Sequence, residues 1–196
     1  MWRKVVLGAL LVVLIGGIAT MLAARHSDSG GSEAAGPVAS VPAPQTTAVT
    51  SPAQDEQPPP LLNAGEDWIT IMRSIEGYFD WLIRHPRPDL LSKVNHPSDP
   101  VFTDTKNALA KFAAGEWRYD PLPRPQVVER VVLTSRLGDK TALLFVWYGP
   151  SDEHRIVDRA GNVVHDEPGQ SSHKSIVTLV QDDGDPHWVL GKAQAA

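Results

Sequence analysis

The chain contains no cysteine. That excludes disulfides, thiolate metal centres, a cysteine nucleophile and a lipid-acylated cysteine anchor. Clustered positive charge is also lacking: 18 Lys and Arg are scattered against 23 Asp and Glu, for a net charge of −5. Phosphate backbones are held by concentrated cations, so no nucleic-acid partner is expected. Nucleophile and phosphate signatures are missing as well. Ser171-Ser172 does not sit in a Gly-x-Ser-x-Gly elbow, and no glycine-rich loop opens a helix. There is no internal repeat, and no residue pattern calls for a cofactor.

What is present begins with a long apolar run. After Met1–Lys4, residues 5–24 read VVLGALLVVLIGGIATMLAA without a charge, and Arg25 follows. About 20 apolar residues suffice for a helix to cross a bilayer. A cleaved signal peptide is the rival reading, with Gly17-Ile18-Ala19 as its cleavage site, but the apolar run continues beyond it. Arg3 and Lys4 precede the span, which favours a cytoplasmic N-terminus (residues 1–4) and a C-terminal part outside the cell membrane, single-pass. Residues 25–62 are rich in Pro, Ala, Ser, Thr and Gly and nearly free of large apolar side chains, and they read as a disordered linker. The folded unit is expected over residues 63–192, with 193–196 as a frayed tail.

Within that unit the hydrophobic period changes once. Trp68, Met72, Ile75, Phe79 and Leu82 recur at helical spacing, with Asn63 read as the cap and Arg73, Glu76, Asp80 and Arg84 on the polar side. Asp80 and Arg84 are placed for an i,i+4 ion pair. Trp81 lies off the stripe. His85-Pro-Arg-Pro88 ends this helix, a short one follows at DLLSKV, and another runs from Asp104 to Ala114. After Pro125 the period becomes two. Strands are expected at Val127–Ser135, at Thr141–Tyr148 (buried on both faces), as a hairpin of Arg155–Asp158 with Asn162–His165, and at Ser175–Gln181 and His187–Leu190. Trp117 and Tyr119 either cap the core or form an exposed contact surface. Helices followed by antiparallel strands define an α+β domain, its N-terminal helices packed on one curved antiparallel β-sheet.

This element order, over Glu66 to Lys192, resembles the nuclear transport factor 2-like superfamily of cone-shaped domains, which includes ketosteroid isomerases, polyketide cyclases and many non-enzymatic members. Behind a single span, the layout resembles mammalian cell entry-associated proteins of actinobacteria and the inner-membrane assembly subunits of type IV secretion systems. The resemblance implies a cone-shaped sheet outside the membrane. The anchor, the tether and the lack of a convergent site point to an accessory or scaffold domain that engages other envelope proteins or itself. The resemblance also implies an alternative, a small-molecule-binding or isomerase- or cyclase-like pocket inside the cone. For such chemistry the local candidates are Tyr78, Asp80 and His173, with Trp147 and Tyr148 on the central strand.

The histidine-rich stretch His154–Lys174 invites a metal reading, yet it lacks the His-x-His or His-x-x-x-His spacing that converges ligands. It reads instead as a hairpin turning at Arg159-Ala160-Gly161. The register then sets Val157 against Val163, Ile156 against Val164, Arg155 against His165 and His154 against Asp166. In this reading the charged ends face water, so His154 and His165 are not taken as site residues and no metal is expected.

Overall fold

The computed structural model describes residues 57–196. The expected span and most of the expected linker lie outside the described residues, among which no helix is long and apolar enough to cross a membrane. The elements are α1 (Trp68–Arg84), a 3-10 helix (Pro88–Lys93), α2 (Phe102–Ala113), β1 (Trp117–Tyr119), β2 (Val128–Arg136), β3 (Thr141–Tyr148), β4 (His154–Asp158), β5 (Val163–Glu167), β6 (His173–Val180) and β7 (Val189–Ala195). The domain is therefore α+β, helices first and antiparallel strands afterwards. The strands form two open sheets rather than one: β1-β4-β5 and β2-β3-β6-β7.

The amphipathic stripe of α1 forms the centre of the core. Ile71, Met72, Ile75, Phe79 and Leu82 are buried against Ala142, Leu144 and Val146 of β3 and Val177 and Leu179 of β6. Burying each such side chain contributes about 1.5–3 kcal/mol. The cap of α1 differs from expectation. Asp67 accepts from the backbone N–H of Thr70 at 3.3 Å and from its hydroxyl at 2.8 Å. Asn63 is buried and faces β7, its amide donating to the carbonyl of Trp188 at 2.8 Å. It was close enough in sequence to cap the helix, but the carbonyl of Trp188 offers it a buried partner. Asp67→Ala is expected to lower stability, read as a denaturant midpoint shift at unchanged m-value.

Both ends of the folded unit extend past the expected bounds. Leu61 packs on the core, and the backbone N–H of Leu62 donates to Ser74 Oγ at 2.7 Å. At the other end β7 runs through Ala195, which pairs with Ser175.

The second sheet lies under α2. Trp117 and Tyr119 belong to β1, which pairs with β4, and pack with Phe112, Ala108 and Ile156 in a small second core. Phe112 stacks on Tyr119 at 4.7 Å and 9°. Of the two readings for these aromatics, capping a core is the one the structure has.

β3 departs from its expected burial on both faces. Ala142, Leu144, Val146 and Tyr148 are buried beneath α1, whereas Thr141, Leu143, Phe145 and Trp147 on the other face stay partly exposed. None of these last four side chains belongs to the core cluster beneath α1.

Candidate functional site

The turn of the β4–β5 hairpin forms as expected. Gly161 has φ +86°, which an L side chain adopts only with strain. Asp158 Oδ1 accepts from the backbone N–H groups of Ala160 and Asn162, both at 2.9 Å. Val157 pairs with Val163, but the register then slips by one residue. Ile156 faces His165, Arg155 faces Asp166 and His154 faces Glu167. Val164 is the extra residue of a bulge, and its insertion shifts every later pair. The expected solvation of the hairpin end is corrected as well, because His154 shares the buried face of β4 with Ile156. His154 is only 1% exposed, its ring 5.7 Å from that of Tyr119. His165 Nε2 contacts Glu167 Oε2 at 3.2 Å, and Gln170 donates to Glu167 Oε1 at 3.1 Å. Among the described residues no three His, Asp or Glu side chains converge as a metal site.

The candidates on α1 and the long strands are distributed as follows. Tyr78 is buried against Trp81, ring centroids 5.8 Å apart, and so serves the core. Trp81, off the stripe, is buried too and stacks on His85 at 5.0 Å. Asp80 forms its i,i+4 pair with Arg84 at 2.9 Å, and Arg84 also donates to the carbonyl of Pro123 at 3.1 Å. Tyr148 and His173 are brought together: they pair across β3 and β6, rings stacked at 5.2 Å and 18°.

Sequence reasoning missed the third member of that group. Tyr148 donates its hydroxyl to Glu76 Oε1 at 2.8 Å. Burial pushes the Glu76 carboxyl up to about 7, against the opposing effect of the Tyr148 hydrogen bond. Burial also raises the Tyr148 phenol well above its ordinary value and lowers the His173 imidazole. A proton can thus be held or released at Glu76 near neutral pH. Room for a substrate is scant: Glu76, Phe79, Asp80, Ile83, Pro123, Arg124 and Gln126 line a shallow cleft of about 280 Å³ including its open mouth. Beneath it the space between helix and sheet is filled by Ile, Leu, Met, Phe and Trp side chains.

The other feature is the outer face of the four-stranded sheet. Arg130, Trp147 and Lys174 form one row across β2, β3 and β6, and Val132, Phe145 and Ile176 form the next. The Arg130 guanidinium lies 4.9 Å and the Lys174 ammonium 5.6 Å from the Trp147 ring centroid. This is a partly exposed apolar surface edged by cations.

No family model matches the chain, and no curated protein matches it. Among solved structures it is similar to the crystal structure of the intermembrane space region of the chloroplast protein ARC6, at 12% identity and a TM-score of 0.37, over 57% of this chain and 78% of that one. So distant a likeness carries no argument about fold or function and lends nothing to the nuclear transport factor 2-like resemblance.

Proposed function

We propose that the chain is a non-catalytic accessory or scaffold protein, anchored in the cell membrane through residues 5–24 and engaging other envelope proteins with its C-terminal domain outside. The uncovered outer sheet face, with Trp147 and Phe145 at its centre, is the observation that carries this reading. The anchor and its orientation rest on the apolar run and on Arg3 and Lys4. The order of helices and strands is what supports a nuclear transport factor 2-like domain; the two open sheets depart from a single cone.

The test is photo-crosslinking in the cells that make the protein, with a photoreactive residue at Phe145 of the full chain and, as control, at Ala160 on the hairpin tip. A discrete crosslinked protein from Phe145 and none from Ala160 is expected. No product from Phe145 contradicts the reading.

The Glu76–Tyr148–His173 group favours a second reading, an isomerase- or cyclase-like site or a small-molecule pocket. Glu76 near neutrality is a suitable general base and Tyr148 a hydroxyl donor. Such an enzyme exchanges the α-hydrogens of an enolisable ketone in D2O. Exchange lost in Glu76→Gln would favour it over the scaffold reading.

A further inference from the structure

We propose that the outer face of β2, β3 and β6 takes an acidic segment of a partner protein, a carboxylate entering beside Trp147 and an apolar side chain seating on Phe145. The proposal rests on the reading that this face is the docking surface, and it names the partner's chemistry. Charge is what selects it. Arg84, Arg87, Arg124, Arg136 and Lys140 each pair with a carboxylate of the domain. Arg130 and Lys174 do not, among the described residues; both lie over the Trp147 ring instead. Other cations of the domain, Arg73, Arg118 and Arg155 among them, lack such a pair as well. But Arg130 and Lys174 are the two that flank one ring of this face, and in a chain of net charge −5 they form a local basic site.

The rows fix the geometry. Arg130-Trp147-Lys174 and Val132-Phe145-Ile176 are two residues apart along the central strand, or about 7 Å. An acid and an aliphatic residue at i,i+2 of an extended segment match that interval, and those at i,i+4 of a helix come close. Docking on the face is favoured over strand addition at the β2 edge. The pairing of β2 breaks between Val128 and Arg130 and again between Leu133 and Ser135, and such irregularities hinder in-register addition.

Other occupants fit less well. A second copy laid face to face brings its own Arg130 and Lys174 against these cations. An anionic membrane surface is recognised by clusters of about 4–8 basic residues, more than this face offers. The chain's own residues 26–56 contain acids but almost no large apolar side chain to seat on Phe145.

The test is selection of a random dodecapeptide library on the full chain in detergent micelles. Enriched peptides are expected to place Asp or Glu beside Leu, Ile, Phe or Trp. Their affinity should fall at least about tenfold in the double variant Arg130→Glu with Lys174→Glu, in Trp147→Leu, and on raising salt from about 50 to about 500 mM. Circular dichroism should show both variants folded, since Arg130 and Lys174 are exposed and Trp147 lies outside the buried core. Enrichment of basic or neutral peptides overturns the proposal, as does a failure to enrich any peptide sensitive to these substitutions. Binding to vesicles of phosphatidylserine and phosphatidylcholine that the double variant abolishes, with no peptide competing, transfers the face to membrane and also overturns it. So does a dimer in sedimentation velocity that Trp147→Leu dissociates. The two readings fail separately: a Phe145 crosslink to a non-acidic segment removes the acidic partner and leaves the docking face. Absence of any crosslink removes the docking face itself.

Discussion

Glu76→Gln is expected to stabilise the domain at pH 8 and to change the slope of stability against pH. The carboxyl titrates near 4.5 in the unfolded chain and near 7 in the folded one, because burial disfavours its charge. Between those values the folded protein binds a proton that the unfolded chain does not. The contribution is therefore complete below pH 4.5 and lost as pH rises through 7, on the order of 2–3 kcal/mol. Glutamine stays neutral throughout and its amide oxygen can still accept the Tyr148 hydroxyl. At pH 8 the variant should melt roughly 4–12 °C higher than the parent.

His173 works in the opposite sense. Burial lowers its pKa, so its contribution is present above the ordinary 6.5 and lost as pH falls. In the parent the two slopes oppose one another just below pH 6.5. Removing Glu76's titration should leave stability rising with pH in that range. Thermal melts of both proteins from pH 4.5 to 8.5 check this, and parallel profiles would show that the folded-state carboxyl is not raised.

Trp188→Ala is expected to have the larger effect, a loss of about 3–5 kcal/mol. Trp188 is 2% exposed and joins the start of the domain to its last strand. Its indole N–H donates to the carbonyl of Gly65 at 2.9 Å, and its backbone N–H to the carbonyl of Asn63 at 2.7 Å. Its ring meets Trp68 edge-on at 5.3 Å, and the Arg136 guanidinium lies 5.3 and 5.7 Å from the two ring centroids. Truncation removes the volume, the aromatic contact and the indole donor together, leaving the Gly65 carbonyl without its partner. Hydrogen exchange should show residues 62–65 and the first turn of α1 losing protection first. A midpoint shift worth less than about 1 kcal/mol would mean that these residues hold to the core without the tryptophan.

The sequence was informative wherever periodicity decides structure. The stripe Trp68-Met72-Ile75-Phe79-Leu82 gives α1, and Asp158–Asn162 gives the hairpin turn down to its left-handed glycine. Where partners distant in the chain decide, it was silent. Glu76 looked like one more polar residue on a solvated helix face, because the Tyr148 hydroxyl that meets it is 72 residues away. β1 escaped because three residues, Trp117–Tyr119, make no period; they form a strand only by pairing with β4. That pairing also divides the strands into two sheets. The burial of His154 was hidden because the face of β4 that it shares with Ile156 is covered by Tyr119 and Ala108 from other elements, and the one-residue slip at Val164 changes every cross-strand partner beyond it. The alternation of β3 hid another feature: both of its faces are apolar, so the sequence suggested burial on both sides. The structure instead leaves Phe145 and Trp147 only half-buried.

The outer sheet face, rather than the Glu76 group, is held here to carry function. Capture of the cellular partner by the full chain, compared between Trp147→Asp and Glu76→Gln at matched protein levels, tests that most directly. Trp147→Asp should abolish capture and Glu76→Gln should leave it intact. Capture that survives Trp147→Asp but is lost in Glu76→Gln would contradict the account.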